Sequence, residues 1–318
     1  MKYSIGIDIG GTNTVIGLAD SEGKVKRKEK FSTCGFDNAE QYLEFLKEKI
    51  LSFISGVDVF DSVLGVGIGA PNGNYYRGTV EHAPNLKYKG IIQVKQILAD
   101  KLSKAGCKLQ VTVTNDANAA AIGEMIYGKA KDVKDFIMIT LGTGVGSGIV
   151  VNGKLVYGYT GFAGEVGHTV IEPEGRLCNC GRRGCVERYA SATGIVITMK
   201  EMLEHTKVPS LLRDTGSEQI TSRSIYDAAV KGDKLALECF DYTAKRLALG
   251  IANAAEITSP QKIYLFGGLS KSGDYLLKPL KKYTEQYLFS IFRDTIDIEL
   301  SGLNEEDAAV LGAAALCY

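Results

Sequence analysis

The chain has 318 residues, 45% of them hydrophobic and 23% charged, which suits two lobes of about 150 residues each and excludes a disordered polymer. Lys and Arg number 37 and so do Asp and Glu, giving a formal net charge of +0 and no basic block, so the sequence lacks the electrostatic footprint of a nucleic-acid binder. No run of about 18 apolar residues occurs, and no small-residue cleavage site follows Met1-Lys2-Tyr3-Ser4, so the expectation is a cytoplasmic protein with no membrane contact.

In chain order, Tyr3-Ser4-Ile5-Gly6-Ile7-Asp8-Ile9 alternates as a strand and ends at Gly10-Gly11-Thr12. Val15 to Ala19 predicts a second strand, and the turn Ser21-Glu22-Gly23 leads to a charge-rich third that runs through Phe31. Leu43, Leu46, Ile50, Phe53 and Ile54 give residues 39–54 a helical stripe. The apolar run Val63 to Ile68 closes at Ala70-Pro71-Asn72-Gly73. A strand from Leu109 to Val113 then delivers Thr114-Asn115-Asp116-Ala117-Asn118 to an alanine-rich helix. After about residue 130 the plan restarts: strand Asp135 to Leu141, turn Gly142-Thr143-Gly144, strand Gly148 to Val151, hairpin turn Asn152-Gly153, strand Lys154 to Tyr157. This is a duplicated architecture. A helix over 234–257 follows, then the strand Lys262 to Phe266, the turn Gly267-Gly268 and a small-residue helix from Asp307 to Leu316. No linker rich in Pro, Ser or Gly separates the halves, so the two lobes are expected to hinge directly on one another.

Two glycine loops suit phosphate. In Asp8-Ile9-Gly10-Gly11-Thr12-Asn13, glycine lets backbone N–H groups approach an anion, Thr12 adds a hydroxyl donor, and Asp8 is placed to hold Mg2+. Leu141-Gly142-Thr143-Gly144-Val145-Gly146 has the same character, and the pair predicts a grip on a triphosphate. No G-x-x-x-x-G-K-[S/T] occurs, and Gly65-Val66-Gly67-Ile68-Gly69-Ala70 runs into Pro71 rather than a helix, which excludes a P-loop and a dinucleotide fingerprint.

Of seven cysteines, Cys178, Cys180 and Cys185 lie within eight residues of each other, downstream of His168. H-x9-C-x-C-x4-C, with Gly181 and Gly184 permitting a tight loop, predicts a closed tetrahedral Zn2+ site of the structural kind. Arg182 and Arg183 read as solvated loop charges. Asp116, at a strand-to-helix junction, reads as a helix cap as readily as a catalytic carboxylate.

The run Gly164-Glu165-Val166-Gly167-His168, with Cys178-Asn179-Cys180-Gly181-Arg182-Arg183-Gly184-Cys185-Val186-Glu187, resembles the signature of the ROK family (repressor, open reading frame, kinase), and the other motifs appear in family order along the whole chain. The resemblance implies an α/β fold of the actin-like ATPase (ribonuclease H-like) type, with two duplicated lobes around a central cleft. It divides the chain into a small lobe of residues 1–117, on which a C-terminal helix of about 303–318 packs, and a large lobe of residues 118–302 with a zinc loop at 168–187. It implies ATP-dependent phosphorylation of a hexose, most simply glucose, with Asp116 as the general base. Asn85, Asn115, Asp116, Glu165, His168 and Glu187 would bind the sugar, and Asp8, Gly10, Gly11, Thr12, Asn13, Gly142, Thr143, Gly144, Gly267 and Gly268 the nucleotide. Kinases for N-acetylmannosamine, N-acetylglucosamine, allose and fructose share these motifs, and family kinases are commonly homodimers or homotetramers. The rival function is a sugar-sensing repressor, which would carry a helix-turn-helix ahead of the first loop; here that loop begins at Asp8.

Overall fold

Ile5, Ile7 and Ile9 are buried along the first strand, β1 (Tyr3–Ile9), of the computed structural model, which describes residues 1–55 and 62–318. β2 (Asn13–Asp20) and β3 (Val25–Ser32) complete an antiparallel meander. α1 (Ala39–Ser55) buries Leu43, Leu46, Ile50 and Phe53, the stripe read from the sequence. β4 (Val63–Ala70) lies parallel to β1. A small sheet of β5 (Gly73–Asn74), β6 (Thr79–Glu81) and β7 (Ile91–Ile92) follows, then α2 (Val94–Lys104). β8 (Gln110–Asn115) joins the main sheet parallel to β4 and passes without a loop into α3 (Asp116–Tyr127). The sheet order is β3-β2-β1-β4-β8.

The second half repeats this plan. β9 (Phe136–Leu141) and β10 (Val145–Val151) form an antiparallel pair with the short β11 (Lys154–Leu155) at the edge. Helices α4 (Glu187–Ala190), α5 (Ala192–His205), α6 (Ser222–Val230) and α7 (Lys234–Thr258) precede β12 (Lys262–Phe266), which is parallel to β9. α8 (Asp274–Tyr287) and β13 (Asp297–Leu300), parallel to β12, complete the order β11-β10-β9-β12-β13. That order matches the first sheet strand for strand.

The described residues group into two units. One holds Met1–Val133, Lys154–Gly164 and Gly302–Tyr318; the other holds Lys134–Gly153 and Glu165–Ser301. In the second, Ala244, Leu247 and Ile251 of α7 pack with Ile137 and Ile139 of β9 and Ile263 and Leu265 of β12. In the first, buried Glu124 of α3 accepts from the N–H groups of Lys129 (2.9 Å) and Gly302 (2.8 Å), which fixes where the returning chain enters its last helix, α9 (Ala308–Ala314). α9 lies directly on the strands. A methyl group at Gly67 would sit 1.9 Å from the backbone oxygen of Ala313, so this strand position admits no side chain. Among the described residues no helix is long and apolar enough to cross a membrane.

Gly67→Ala should therefore lower the unfolding free energy by about 1–3 kcal/mol, as overpacking of a tight contact does. Chemical denaturation would check this, and an unchanged midpoint would mean that α9 can shift without cost.

Candidate functional site

β1, β4 and β8 run parallel, so their C-terminal ends share one edge of the first sheet. Asp8 is in register with Gly69, and Gly69 with Thr114, which brings Asp8 and the Asn115-Asp116 pair to the strand ends on either side of β4. Such an edge is where α/β sheets bind ligands. Burial pushes the Asp8 carboxyl up to about 7, and the charge of Asp116 adds to the effect. Asp116 keeps contact with water. Protein nonetheless crowds it enough for desolvation to raise its carboxyl above the ordinary value, against the N–H groups of Ala117 and of Asp116 itself. Asn115 is the cap of α3, its Oδ1 accepting from Ala117 N at 2.8 Å, and Asp116 Oδ1 shares that donor at 2.8 Å.

The first glycine loop closes through a bond from Gly10 N to Asn13 O at 2.9 Å, and Thr12 is exposed on it. Asn85 reaches this loop. Its backbone oxygen lies 2.6 Å from where a side chain at Gly11 would begin, and the residue is exposed. The first unit thus brings Asp8, Gly10, Gly11, Thr12, Asn13 and Asn85 together.

In the second unit, Phe266 of β12 is in register with Thr140 of β9, so the Gly267-Gly268 turn and the Gly142-Thr143-Gly144 loop leave adjacent strands at the same edge. The loop is held from outside. Glu187 Oε2 accepts from the Val145 N–H at 3.0 Å, and it fills the space that a side chain at Gly144 would need, 2.2 Å from that position. Ala192 N donates to Gly142 O at 2.8 Å, and the Thr193 hydroxyl to Thr143 O at 2.6 Å. Sequence reasoning did not single out Ala192 or Thr193. Their signal is Ser191, whose side chain caps α5 by accepting from Gly194 N at 2.9 Å and so starts that helix against the loop.

Next to this loop the four metal candidates converge, with all ligand atoms of His168, Cys178, Cys180 and Cys185 within 4.8 Å of one another. Cys180 Sγ and Cys185 Sγ are 3.6 Å apart, and Cys178 Sγ lies 3.7 Å from His168 Nδ1. A tetrahedron built on zinc–sulfur bonds of about 2.3 Å has edges of about 3.8 Å. The donor set therefore fits Zn2+ in chemistry and in spacing. His168 presents Nδ1 to the cluster, which leaves Nε2 for another partner. Glu165 precedes the short turn Val166–His168, is exposed, and accepts through its carbonyl from His168 N at 3.0 Å. Arg182 is more than a solvated charge: it donates to the His168 carbonyl at 2.9 Å and to the Cys180 thiol. Burial acts to raise that thiol's pKa, but bonds from the Arg182 backbone and guanidinium, and from the other two cysteines, bring it down to about 6. Arg183 donates to Gly175 O at 3.2 Å.

The ROK family model matches residues 4–318. The chain belongs to the ROK family. It is 36% identical to the glucokinase of Halalkalibacterium halodurans over 98% of this chain and 93% of that protein. It is also 31% identical to the xylose repressor of Caldicellulosiruptor bescii, over 98% of this chain and 77% of that protein. Among solved structures, a ROK family glucokinase from Streptomyces griseus in complex with glucose and AMPPNP is similar at a TM-score of 0.80 and 34% identity, covering 99% of this chain and 98% of that one. The duplicated α/β sheets are those of the actin-like ATPase fold, as the resemblance implies.

At the Asn115-Asp116 pair the cap of α3 is Asn115. Asn115→Ala should destabilise the protein by about 1 kcal/mol, the usual worth of a cap, whereas Asp116→Asn should leave the melting temperature nearly unchanged. The reverse order in thermal unfolding would return the cap to Asp116.

Proposed function

We propose that this chain is an ATP-dependent hexokinase, with glucose as the first candidate for its sugar and Asp116 as the general base. The observation that carries the reading is the Asp116 carboxyl at the ligand-binding edge of parallel strands, raised by desolvation, while the adjacent Asn115 caps the helix. Glucokinase relatives at 34–36% identity over nearly the whole chain support the same reading.

In the proposed reaction the sugar hydroxyl attacks the γ-phosphorus of ATP. Its O–H proton passes to Asp116 as the new P–O bond forms and the bond to the β–γ bridging oxygen breaks, releasing ADP. Asp116 acts with its carboxylate unprotonated, and a raised pKa makes that carboxylate a stronger base. Asn85, Asn115, Glu165, His168 and Glu187 are assigned to the remaining hydroxyls, which such side chains read by donating and accepting in pairs. Gly10, Gly11, Gly142, Thr143, Gly144, Gly267 and Gly268, with Thr12 and Asn13, are assigned to the nucleotide, the Gly10 and Gly142 N–H groups closing the two loops on Asn13 O and Gly144 O. Magnesium, which Asp8 would hold, supplies neutralisation of phosphate charge when bound. Zinc is assigned to His168, Cys178, Cys180 and Cys185; with every position filled by protein, it would order the loop and leave no coordination site for chemistry.

Similarity to a xylose repressor makes sugar sensing without turnover the second reading. A coupled ADP assay over glucose, fructose, allose, N-acetylmannosamine and N-acetylglucosamine separates the two and ranks the sugars.

Asp116→Asn should lower kcat by about 10²–10⁴-fold with glucose binding nearly intact. In the wild type, kcat/KM should rise with pH through an acid limb above the ordinary aspartate range, since only the ionised base accepts the proton; in Asp116→Asn that limb should vanish. A variant retaining a tenth of the rate would remove Asp116 from the chemistry. For the metal, elemental analysis should find about one zinc per chain, as a closed four-ligand site binds it. Cys180→Ser should lose it and raise the sugar KM, and metal-free protein with an unchanged KM would sever zinc from the sugar site.

A further inference from the structure

We propose that Glu187 is a positioning residue through which the metal cluster sets the second phosphate loop, so that loss of the metal weakens nucleotide binding even without sugar. This rests on the reading of His168, Cys178, Cys180 and Cys185 as a zinc site. Glu187 stands two residues beyond Cys185, and Val186 between them is fully buried in the core of the second unit, so where Cys185 is held Glu187 follows. Its carboxylate spans two elements. Oε2 accepts from Val145 N at 3.0 Å, and Oε1 lies 3.9 Å from Cys178 Sγ. Gly144 is what lets the carboxylate come so close to the loop.

The segment that Glu187 opens grips the same loop twice more, through Ala192 N on Gly142 O and the Thr193 hydroxyl on Thr143 O. From the other flank of the metal site, Val166 N donates to Ser147 Oγ at 3.1 Å, two residues beyond Val145. Residues 166–168 and 185–193 thus hold the 142–147 stretch from two sides, and the four ligands join those flanks. A metal at the cluster would lock them as one body. Backbone N–H groups of a glycine loop bind phosphate well only when already aimed, because a loose loop must be ordered at the moment of binding. Metal occupancy and nucleotide affinity are then linked, and the link is reciprocal.

The test is calorimetric titration of Mg2+ with AMPPNP, a non-hydrolysable ATP analogue, in the absence of sugar. Four proteins are compared: wild type and Glu187→Ala, each zinc-loaded and each stripped by a chelator that is then removed, with zinc content by elemental analysis and fold by circular dichroism. Stripping should weaken AMPPNP binding to the wild type by about tenfold, a coupling of ordinary size. Loaded Glu187→Ala should show a loss of similar scale, and stripping it should add about twofold or less, since the coupling runs through the missing carboxylate. Equal dissociation constants for loaded and stripped wild type overturn the proposal, as does a stripping effect undiminished in Glu187→Ala. If stripping unfolds the chain, the loaded pair decides: identical affinities for wild type and Glu187→Ala overturn it. Purified protein with no metal at the four residues refutes the zinc reading itself, a result read from the elemental analysis and not from the titration.

Discussion

Two carboxylates placed where parallel strands end on either side of β4 are an electrostatic constraint that the rest of the site must answer. Asp8 is fixed there by strand register, and Asp116 by standing directly after the last residue of β8 as α3 begins. Burial and mutual charge raise Asp8 to about 7, and desolvation raises Asp116. A triphosphate brought to such a place would add more negative charge. On the proposed reading a divalent cation beside Asp8 and the N–H groups of the glycine loops supply the compensation, and Asp116 is left as the carboxylate that can take a proton. The sheet thus creates the tension that the substrate and its cation relieve.

The duplicated sheets place a glycine loop at equivalent strand ends, but they brace the two loops by different means. In the first unit the brace is local: Thr33 N donates to Thr12 O at 2.9 Å, the Cys34 thiol to Gly11 O at 3.1 Å, and the backbone of Asn85 packs on Gly11. In the second unit the brace comes from the segment after the Cys/His cluster and the helix that follows it, through Glu187, Ala192 and Thr193. A loop of glycines pays for its close approach to phosphate in conformational freedom, and something outside it must restrict that freedom. Here one copy of the repeat is held by residues following its neighbouring strand, and the other by Glu187, Ala192 and Thr193.

Much of this was legible in the sequence because it is written in local periods. β1, α1, α7 and β12 carry alternation or helical stripes long enough to be read, the Asn152-Gly153 turn marks its hairpin, and the spacing of His168, Cys178, Cys180 and Cys185 is itself the signal that the geometry bears out as a cluster. Elements without a period were not read. β5 and β7 have two residues each, and α8 contains Pro279, which breaks its helical pattern. The division of labour between Asn115 and Asp116 was beyond sequence, since adjacent residues of equal capping ability differ only in which backbone conformation each adopts. The bond from Glu187 to Val145 joins residues 42 apart and follows no pattern; Gly144 hints at it only once the fold is known. Arg182 reads as a solvated loop charge, yet it donates to the carbonyl of His168, a metal candidate 14 residues upstream.

Phosphorus nuclear magnetic resonance observes phosphoryl transfer from ATP to a hexose without a coupling enzyme, and so tests the proposed activity directly. Protein, Mg2+ and ATP should be stable together, and adding glucose should convert the γ-phosphate signal into a sugar phosphomonoester signal, one for one with ADP. Absence of a phosphomonoester with glucose and with every other hexose tried, or release of inorganic phosphate at the same rate with and without sugar, would contradict it.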